Sequence, residues 1–421
     1  MTLTLLILFA LGYIAVATEG ITKLNKAASA LLMGVGMWLI IAVTQWQSHE
    51  VIEQALMHHM ASISGIVFFL LGAMTIVEIM DSHNAFYIIT RNITTHKLSY
   101  LVCIIGMLTF VLSAIIDNLT ATIVMLSIAS KLLHTKQDKW TFAGLIIICS
   151  NAGGACSPIG DVTTTMLWVG KQVTAAYIIQ QLILPSVLCA IIPILILAVR
   201  YKGKYVQQSV HAVVAPLLIT TKSQIIFYVG TALFVAIPLM KWATGLPPFM
   251  IMLLALACMW LVVSILHLSS DDDEQAAHSV VTALQKIDTP SILFFLGILL
   301  AVAALDTTGV LLLAANYMNA TLGTPLHITG ALGLLSALVD NVPLVAAAQG
   351  MYSLSDYPTN HSFWILLAYT TGTGGSIIII GSAAGVAAMG ISNIPFGWYL
   401  RYISWIALLS YLIGLAAAAI L

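Results

Sequence analysis

Apolar stretches long enough to cross a lipid bilayer recur along most of this 421-residue chain. A helix that crosses the hydrocarbon layer needs about 20 mostly apolar residues. Inside that layer every backbone polar group must be bonded within the protein, which leaves only helices and closed barrels. Hydrophobic residues make up 60% of the chain and charged residues 7%, whereas soluble domains carry about 25% charged residues. The sequence therefore predicts an all-α polytopic membrane protein.

We predict ten membrane-spanning segments. The N-terminal run lacks a basic leader and a small-residue cleavage site, so it is interpreted as the first span and not as a cleaved signal. The ten segments lie at residues 3–18, 27–45, 62–80, 141–170, 175–199, 225–243, 248–267, 291–305, 362–390 and 402–420. Two further apolar stretches, at about 99–134 and 325–350, each carry an Asp-Asn pair near their middle.

The two Asp-Asn pairs belong to a repeated phrase. The first copy is SAIIDNLT at residues 113–120 and the second is SALVDNVP at residues 336–343. A carboxylate at membrane depth costs a few kcal/mol, so it indicates a functional site. The pairs Asp117-Asn118 and Asp340-Asn341 are therefore the first candidates.

The basic residues predict the orientation, because Lys and Arg concentrate in cytoplasmic loops. If each Asp-Asn stretch enters and leaves on the same side, only two of the 15 Lys and Arg residues, Lys171 and Lys241, fall opposite the rest. This makes both stretches re-entrant hairpins and puts both termini outside. If each stretch instead crossed once, the bias would be lost.

Further landmarks repeat at an offset of 221 to 225 residues. Gly72 precedes Asp81 and Gly297 precedes Asp306 at the same spacing, and a glycine-rich segment follows each hairpin. We therefore predict two repeats, 1–200 and 225–421, joined by a cytoplasmic linker at 201–224. Each repeat has five spans plus one hairpin. An odd number of crossings makes the repeats inverted, which is typical of secondary transporters with a midplane site.

The two glycine-rich segments, 151–161 and 371–385, are predicted to unwind their helices at the midplane. Irregular backbone at that depth is tolerated where protein or a water-filled cavity satisfies it. The hairpin tips and these breaks would bring oxygen atoms around one central point. The candidate ligands are the carboxylates of Asp117, Asp161 and Asp340, the amides of Asn118, Asn151 and Asn341, and the hydroxyls of Thr120, Ser150, Thr163, Thr371 and Thr373.

This set of hard oxygen ligands suits a hard metal cation. Neither phrase and neither break contains Lys or Arg, which an anion site would be expected to offer. Burial favours the protonated form of a carboxyl group, while a bound cation favours the ionised form. One carboxylate can then bind a proton or a cation in competition, which predicts exchange of H⁺ for Na⁺ or Li⁺. Asp117 and Asp340 are the first choices for this role and Asp161 the third. We assign Na⁺ to Asp117, Asn118, Asn151 and Asp161.

Several other polar residues receive weaker predictions. Glu78, Asp81 and Asp306 lie near the ends of spans and are secondary candidates, because terminal acids can reach water. His58 and His59 are predicted to be an exposed pair in an external loop. The acidic run at 271–274 is interpreted as a solvated loop. The five cysteines have no metal-type spacing and are interpreted as small apolar side chains.

At the two phrases and the two breaks the sequence resembles the NhaD-type sodium/proton antiporters of the ion transporter superfamily. The resemblance rests on residues 113–122 and 150–165, supported by 336–346 and 371–385, and covers essentially the whole chain. It implies efflux of Na⁺ and Li⁺ across a bacterial inner membrane, driven by the inward proton gradient. It also implies an elevator-like fold, with hairpins and broken helices in a mobile transport domain, and a homodimer. Related dicarboxylate carriers have Ser-Asn-Thr at each hairpin tip, where Asp-Asn stands here.

Other functions stay open to different degrees. A Na⁺-coupled carrier, or an efflux protein for an oxyanion or arsenite-like species, is the nearest alternative. An intramembrane aspartyl protease would also use two carboxylates, but the chain has no Gly-x-Gly-Asp phrase, and no His-Glu-x-x-His for a zinc protease. We predict no enzymatic activity, no cofactor and, at a net charge of −1, no nucleic-acid partner. A passive channel is not separated from a carrier by sequence.

Overall fold

The computed structural model describes residues 1–17, 24–44, 48–86, 88, 95–206, 220–268 and 279–421. Within these ranges the secondary structure is helical, and the only β-type pairing is an isolated bridge between Lys97 and Tyr205. Lys23, Arg91, the acidic run at 271–274 and linker residues 207–219 lie outside the described residues.

The helices of the first half are α1 (Thr2–Ala17), α2 (Lys26–Val43), α3 (His49–Ser82), α4 (Leu98–Ile115), α5 (Asn118–Leu132), α6 (Lys136–Ala155), α7 (Val162–Val169) and α8 (Ala175–Arg200). Those of the second half are α9 (Thr221–Thr244), α10 (Pro248–Leu266), α11 (Val280–Lys286), α12 (Thr289–Thr307), α13 (Val310–Leu322), α14 (Pro325–Leu335), α15 (Asn341–Met351), α16 (Ser362–Gly374), α17 (Ala383–Ser392), α18 (Phe396–Tyr402) and α19 (Ser404–Ile420).

Seven of the described helices are long and apolar enough to cross a membrane, or eight when the pair α18 and α19, bent by 51°, counts as one span. The chain is therefore a polytopic helical membrane protein, as predicted. Four of the ten predicted segments do not form a single helix of spanning length. The first, α1, has 16 residues, the segment at 402–420 falls on the bent pair, and those at 141–170 and 362–390 are interrupted. Conversely, α4 has 18 residues and is long enough to span, although it belongs to a stretch predicted to re-enter.

Both interruptions begin later than predicted. The first helix continues to Ala155 and the second to Gly374, so the irregular segments are 156–161 and 375–382. The glycines upstream serve close packing, because a Cβ atom on Gly153 or Gly374 would collide with the backbone of a neighbouring helix. Glycine at such a contact permits close approach of helices, which explains why the glycine-rich sequence does not unwind the helix at once.

The prediction that His58 and His59 lie in a loop is wrong. Both residues lie inside α3, a single helix of 34 residues. Residues 49–64 contain neither glycine nor proline, so nothing stops the helix where the strongly apolar sequence begins. Helix propensity, and not hydropathy, therefore sets this boundary.

Two groups of helices can be separated by their packing. The scaffold group comprises α1–α3 and α9–α13, and the site group comprises α4–α8 and α14–α19. In the scaffold group α2 lies along α12, where Gly34 and Gly297 allow backbone contact. The groups meet where α15 packs on α12 and α13, and where α7 packs on α3.

Candidate functional site

Polar residues of the motifs begin four helices of the site group. Asp161 caps α7 and Ser382 caps α17, each through a side-chain oxygen that accepts a backbone N–H of the first turn. Asp117 caps α5 in the same way, and Asp340 occupies the capping position of α15. Asp and Ser are favoured there because they satisfy N–H groups that lack a partner in the helix. The caps place these four side chains at helix ends that face one another.

Asp161 is the acceptor at the centre of the site. Its Oδ2 accepts a hydrogen bond from Asn118 Nδ2 at 2.8 Å, and its Oδ1 accepts from the backbone N–H of Thr163 at 2.9 Å. Asn341 Nδ2 donates to the same carboxylate, at 3.3 Å to Oδ2 and 3.4 Å to Oδ1. Asn118, Asn341 and Asp161 are all buried. One carboxylate therefore joins the Asp-Asn phrases of both halves.

Asn151 extends this network to the second break. Its Oδ1 accepts from Asn118 Nδ2 at 3.1 Å. Its Nδ2 donates to Ser376 Oγ at 2.9 Å and to Ser382 Oγ at 3.0 Å. Neither Ser376 nor Ser382 is among the ligands predicted from the sequence. A signal existed for Ser382, because it occupies the repeat position of a predicted ligand, whereas nothing in the sequence marks Ser376.

The two phrase aspartates differ in their hydrogen bonds. Asp117 accepts from the Thr120 backbone N–H at 2.8 Å and from Thr120 Oγ1 at 2.7 Å. Asp340 makes no side-chain capping bond, and its Oδ1 is buried without a hydrogen-bond partner. A buried polar atom that lacks a partner costs about 1–3 kcal/mol. Asp340 therefore carries an unused acceptor.

A small cavity of about 50 Å³ lies beside this network, and its lining includes Asp117, Asn118, Asp340 and Lys26. Lys26 belongs to the first turn of α2 in the scaffold group, while the two aspartates belong to the site group. The motifs themselves contain no basic residue. The tertiary fold nevertheless adds one cationic side chain to the cavity wall.

Several predicted hydroxyl ligands lie outside the carboxylate–amide network. Ser150 Oγ donates to the Ile147 carbonyl at 3.1 Å. Thr371 and Thr373 donate to carbonyls of the preceding helical turn, at 2.7 and 2.6 Å. Thr163 Oγ1 is buried without a hydrogen-bond partner. The hydroxyls of Ser150, Thr371 and Thr373 therefore satisfy the α6 and α16 backbones, while that of Thr163 keeps an unused bonding capacity.

The three secondary candidates lie elsewhere. Asp306, at the end of α12, has Oδ2 4.0 Å from His59 Nε2, and its side chain is 40% exposed. Glu78 and Asp81 lie in the last turns of α3, where Asp81 is exposed. None of the three belongs to the hydrogen-bond network around Asp161 in the described part of the chain.

Comparison with known proteins agrees with this architecture. A family model described as citrate transporter matches residues 13–372. The chain is 42% identical to Sodium/proton antiporter 1 of Arabidopsis thaliana, over 98% of this chain and 71% of that protein. It is 39% identical to Sodium/proton antiporter 2 of the same plant, over 97% of both chains. It is 29% identical to the Na(+)/H(+) antiporter NhaD of Vibrio cholerae, over 97% of this chain and 90% of that protein.

A polytopic helical protein with buried carboxylate and amide groups between two broken helices has the general form of a membrane transporter. The chain belongs to the citrate transporter family, among its NhaD-type sodium/proton antiporters. The resemblance predicted from the Asp-Asn phrases is thereby confirmed.

Proposed function

We propose that this protein is a secondary active transporter that exchanges cytoplasmic Na⁺ or Li⁺ for external H⁺. One observation carries the proposal: Asn118 and Asn341, from the two halves of the chain, both donate to the buried carboxylate of Asp161. A site at the meeting point of two halves is typical of secondary transporters. The plant and bacterial relatives are named as antiporters of sodium ions and protons, which supports the choice of ions.

The Na⁺ ion, as cargo, would take oxygen ligands from Asp117, Asn118, Asn151 and Asp161. An amide side chain offers an oxygen acceptor as well as its N–H donors. Rotation of the Asn118 amide would therefore replace its N–H donor to Asp161 with an oxygen ligand for the cation. The Asn151 Oδ1, which now accepts from Asn118, would become free to bind the cation as well. Carboxylate and amide oxygens are ligands that hard cations prefer. Asp161 is the central ligand in this proposal, although the sequence ranks it third, after Asp117 and Asp340.

Coupling to protons follows from competition at the carboxylates. Burial favours the protonated form of Asp117 or Asp340, and a neighbouring cation favours the ionised form. Asp340 is the better placed to accept a proton, because its Oδ1 has no other partner. Asp117 has both oxygens engaged by Thr120, so it suits cation binding. The two phrases would then have different tasks in one cycle.

The charge and size of the cavity support a small cation as substrate. Two carboxylates and one lysine line the cavity, and Asp161 adds a third carboxylate in the adjoining hydrogen-bond network. Pockets for small organic molecules usually enclose about 300 Å³ or more, while this cavity has about 50 Å³. A water molecule needs only about 10–15 Å³ in such a cavity. The volume therefore suits one partly hydrated ion.

Matched contacts in the two halves support the proposed inverted repeats. Ser113 Oγ donates to the Ser150 carbonyl at 2.6 Å, and Ser336 Oγ donates to the Thr371 carbonyl at 2.9 Å. Gly153 packs on the backbone of Phe110 as Gly374 packs on that of Gly333.

In this arrangement residues 1–200 and 225–421 are the repeats, with re-entrant tips at Asp117 and Asp340. Both termini lie on the outer side of a bacterial inner membrane. The site group would move as the transport domain against the scaffold group.

The test is ion exchange in proteoliposomes that contain the purified protein and a pH-sensitive dye. Addition of NaCl or LiCl should dissipate an imposed pH gradient, and choline chloride should not. Saturation with rising Na⁺ would separate a carrier from a passive channel. Absence of any response to either cation between neutral and alkaline pH would overturn the proposal.

A second candidate is a Na⁺-coupled carrier of a carboxylate or oxyanion. Two observations favour it: the family description and the presence of Lys26 in the cavity wall. The same proteoliposomes distinguish it, because uptake of labelled citrate driven by a Na⁺ gradient would require this function. Exchange of Na⁺ for H⁺ without citrate uptake would exclude citrate as its substrate.

A further inference from the structure

A second and larger cavity of about 970 Å³ adjoins the candidate ion site. The two cavities share Ile159, in the first break, and Phe234, in α9. The larger cavity thus lies between the site group and the scaffold group. Its volume is at the upper end of the range for small-molecule sites, about 300–1,000 Å³.

Two lysines face this cavity, and no acidic residue is among the described residues that line it. Lys241 is held in place by Trp168, since its Nζ lies 4.3 Å from the ring centroid and donates to the Trp168 carbonyl at 3.2 Å. Lys171 follows α7, and its backbone is fixed because Thr359 Oγ1 donates to its carbonyl at 2.8 Å. The two ammonium groups act on each other electrostatically, and like charges that share a cavity repel. An anion between them would offset that repulsion.

Apart from the hydroxyls of Ser157, Thr174 and Thr359, the rest of the wall is apolar, and its α9 side faces outward. Leu239 and Trp242 on α9 are 61% and 87% exposed, and Val235 on the same helix is also exposed. In a membrane-spanning helix such residues contact acyl chains. The same cavity therefore offers a cationic end and an apolar wall.

The position of the two lysines relative to the membrane also indicates a local binding role. Lys171 and Lys241 are the two basic residues that the predicted orientation puts opposite all the other Lys and Arg residues. The general excess of cytoplasmic positive charge does not explain them. A role of these two lysines in binding an anion would explain their position.

We propose that this cavity binds one anionic phospholipid, with its phosphate between Lys171 and Lys241 and an acyl chain along Val235, Leu239 and Trp242. A small soluble anion is a poorer match, because recognition in water requires several polar donors, whereas the wall is mainly apolar. An amphiphile uses both parts of the cavity. The bound lipid would lie between the first break and α9, where the two helix groups approach each other.

The experiment measures lipid binding to the purified full-length chain in detergent, by native mass spectrometry and by thermal melting. Phosphatidylglycerol and phosphatidylcholine with identical acyl chains are the two probes, and inorganic phosphate is the third. Phosphatidylglycerol should bind more tightly and raise the melting temperature more than phosphatidylcholine. A lysine near anionic lipid contributes about fivefold in affinity, so Lys171→Gln with Lys241→Gln should weaken phosphatidylglycerol binding about 30-fold.

Lys202→Gln with Lys204→Gln is the matched control, because it removes two exposed lysines that do not line the cavity. It should leave binding unchanged. The single variant Lys171→Gln, at an exposed side chain, keeps the test decisive if the double variant fails to fold, with about a fivefold loss expected.

Three results would each overturn the proposal. These are equal binding of both lipids, unchanged phosphatidylglycerol binding in the lysine variants, and full displacement of the lipid by inorganic phosphate, which would indicate a soluble-anion site. Binding is measured without ion exchange, so its outcome is independent of the proposed antiport.

Discussion

The two Asp-Asn phrases have the same letters at their centre but different chemistry. Asp117 is satisfied by the N–H and the hydroxyl of Thr120. At the position matching Thr120 the second phrase has Pro343, which has neither an N–H nor a hydroxyl. Asp340 consequently has no capping bond and keeps a buried oxygen without a partner. One substitution thus separates a carboxylate fixed by its own helix from one with an unused acceptor.

The breaks and the helices that precede them also differ between the halves. Asp161 in the first break corresponds to Ser382 in the second, and Asn151 in α6 corresponds to Gly372 in α16. The framework contacts of Ser113 and Ser336 are alike in both halves. Matched residues therefore maintain the geometry, while Asp161, which has no acidic counterpart, gives the first half an additional carboxylate. Four predictions, which use six variants, test the site and this difference between the halves in order of decreasing expected effect.

Asp161→Asn should abolish exchange, with a loss of about 100-fold or more. The hydrogen bonds that the Asn118 and Asn341 amides donate to this carboxylate would be lost. Each is worth about 1.5–3 kcal/mol when the acceptor is charged. Initial rates of Na⁺-dependent proton movement in proteoliposomes provide the measurement. Asp356→Asn, in an exposed loop, is the matched control. Wild-type exchange by the Asp161 variant would remove it from the ion site.

Asp117→Asn and Asp340→Asn should each reduce exchange about tenfold or more, while both proteins stay folded in the membrane. Asn replaces Asp well as a helix cap, so loss of charge and not of structure is tested. Asp117→Asn should mainly raise the Na⁺ concentration for half-maximal rate, and Asp340→Asn should mainly flatten the pH profile. Identical profiles for the two variants would contradict the division of tasks, and wild-type exchange in both would refute the competition mechanism.

Lys26→Gln should lower the Na⁺ concentration for half-maximal rate about fivefold. Removal of a cationic side chain from the cavity relieves repulsion of the transported cation by about 1 kcal/mol. Rates measured over a series of Na⁺ concentrations give this value, with Lys26→Arg as the variant that retains the charge. An unchanged or higher Na⁺ requirement in Lys26→Gln would show that Lys26 does not weaken cation binding.

Thr120→Val and Pro343→Thr exchange the capping chemistry between the halves and should have the smallest effects. Thr120→Val removes the hydroxyl bond to Asp117 and should destabilise the protein by about 1 kcal/mol. Pro343→Thr supplies Asp340 with a backbone N–H and a hydroxyl as donors, and should stabilise the protein by a similar amount. Thermal melting in detergent measures both. Equal shifts of the same sign would show that the caps do not account for the difference between the aspartates.

Much of the fold could be predicted from hydropathy and glycine content. The spans near α2, α8, α9, α10 and α12 lie close to their predicted positions, because a long apolar run is a local and strong signal. Boundaries governed by other forces were predicted less well. Gly153 and Gly154 predict a helix break, yet in the structure both lie in α6 and allow close approach of neighbouring backbone. Hydropathy likewise places the start of α3 too late, at residue 62, since the helix begins at His49 and includes His58 and His59.

By itself the sequence determined the all-helical membrane class, the repeated Asp-Asn phrases, and the carboxylates, amides and hydroxyls from which the candidate site is built. Those properties are local, and each can be recognised within about 20 residues. Only the tertiary structure decided which of these groups meet. It brought Asn341 to Asp161 across 180 residues of chain, and it placed Lys26 of another helix group beside both phrase aspartates. Contacts of that kind depend on how helices pack, and neither hydropathy nor spacing encodes them.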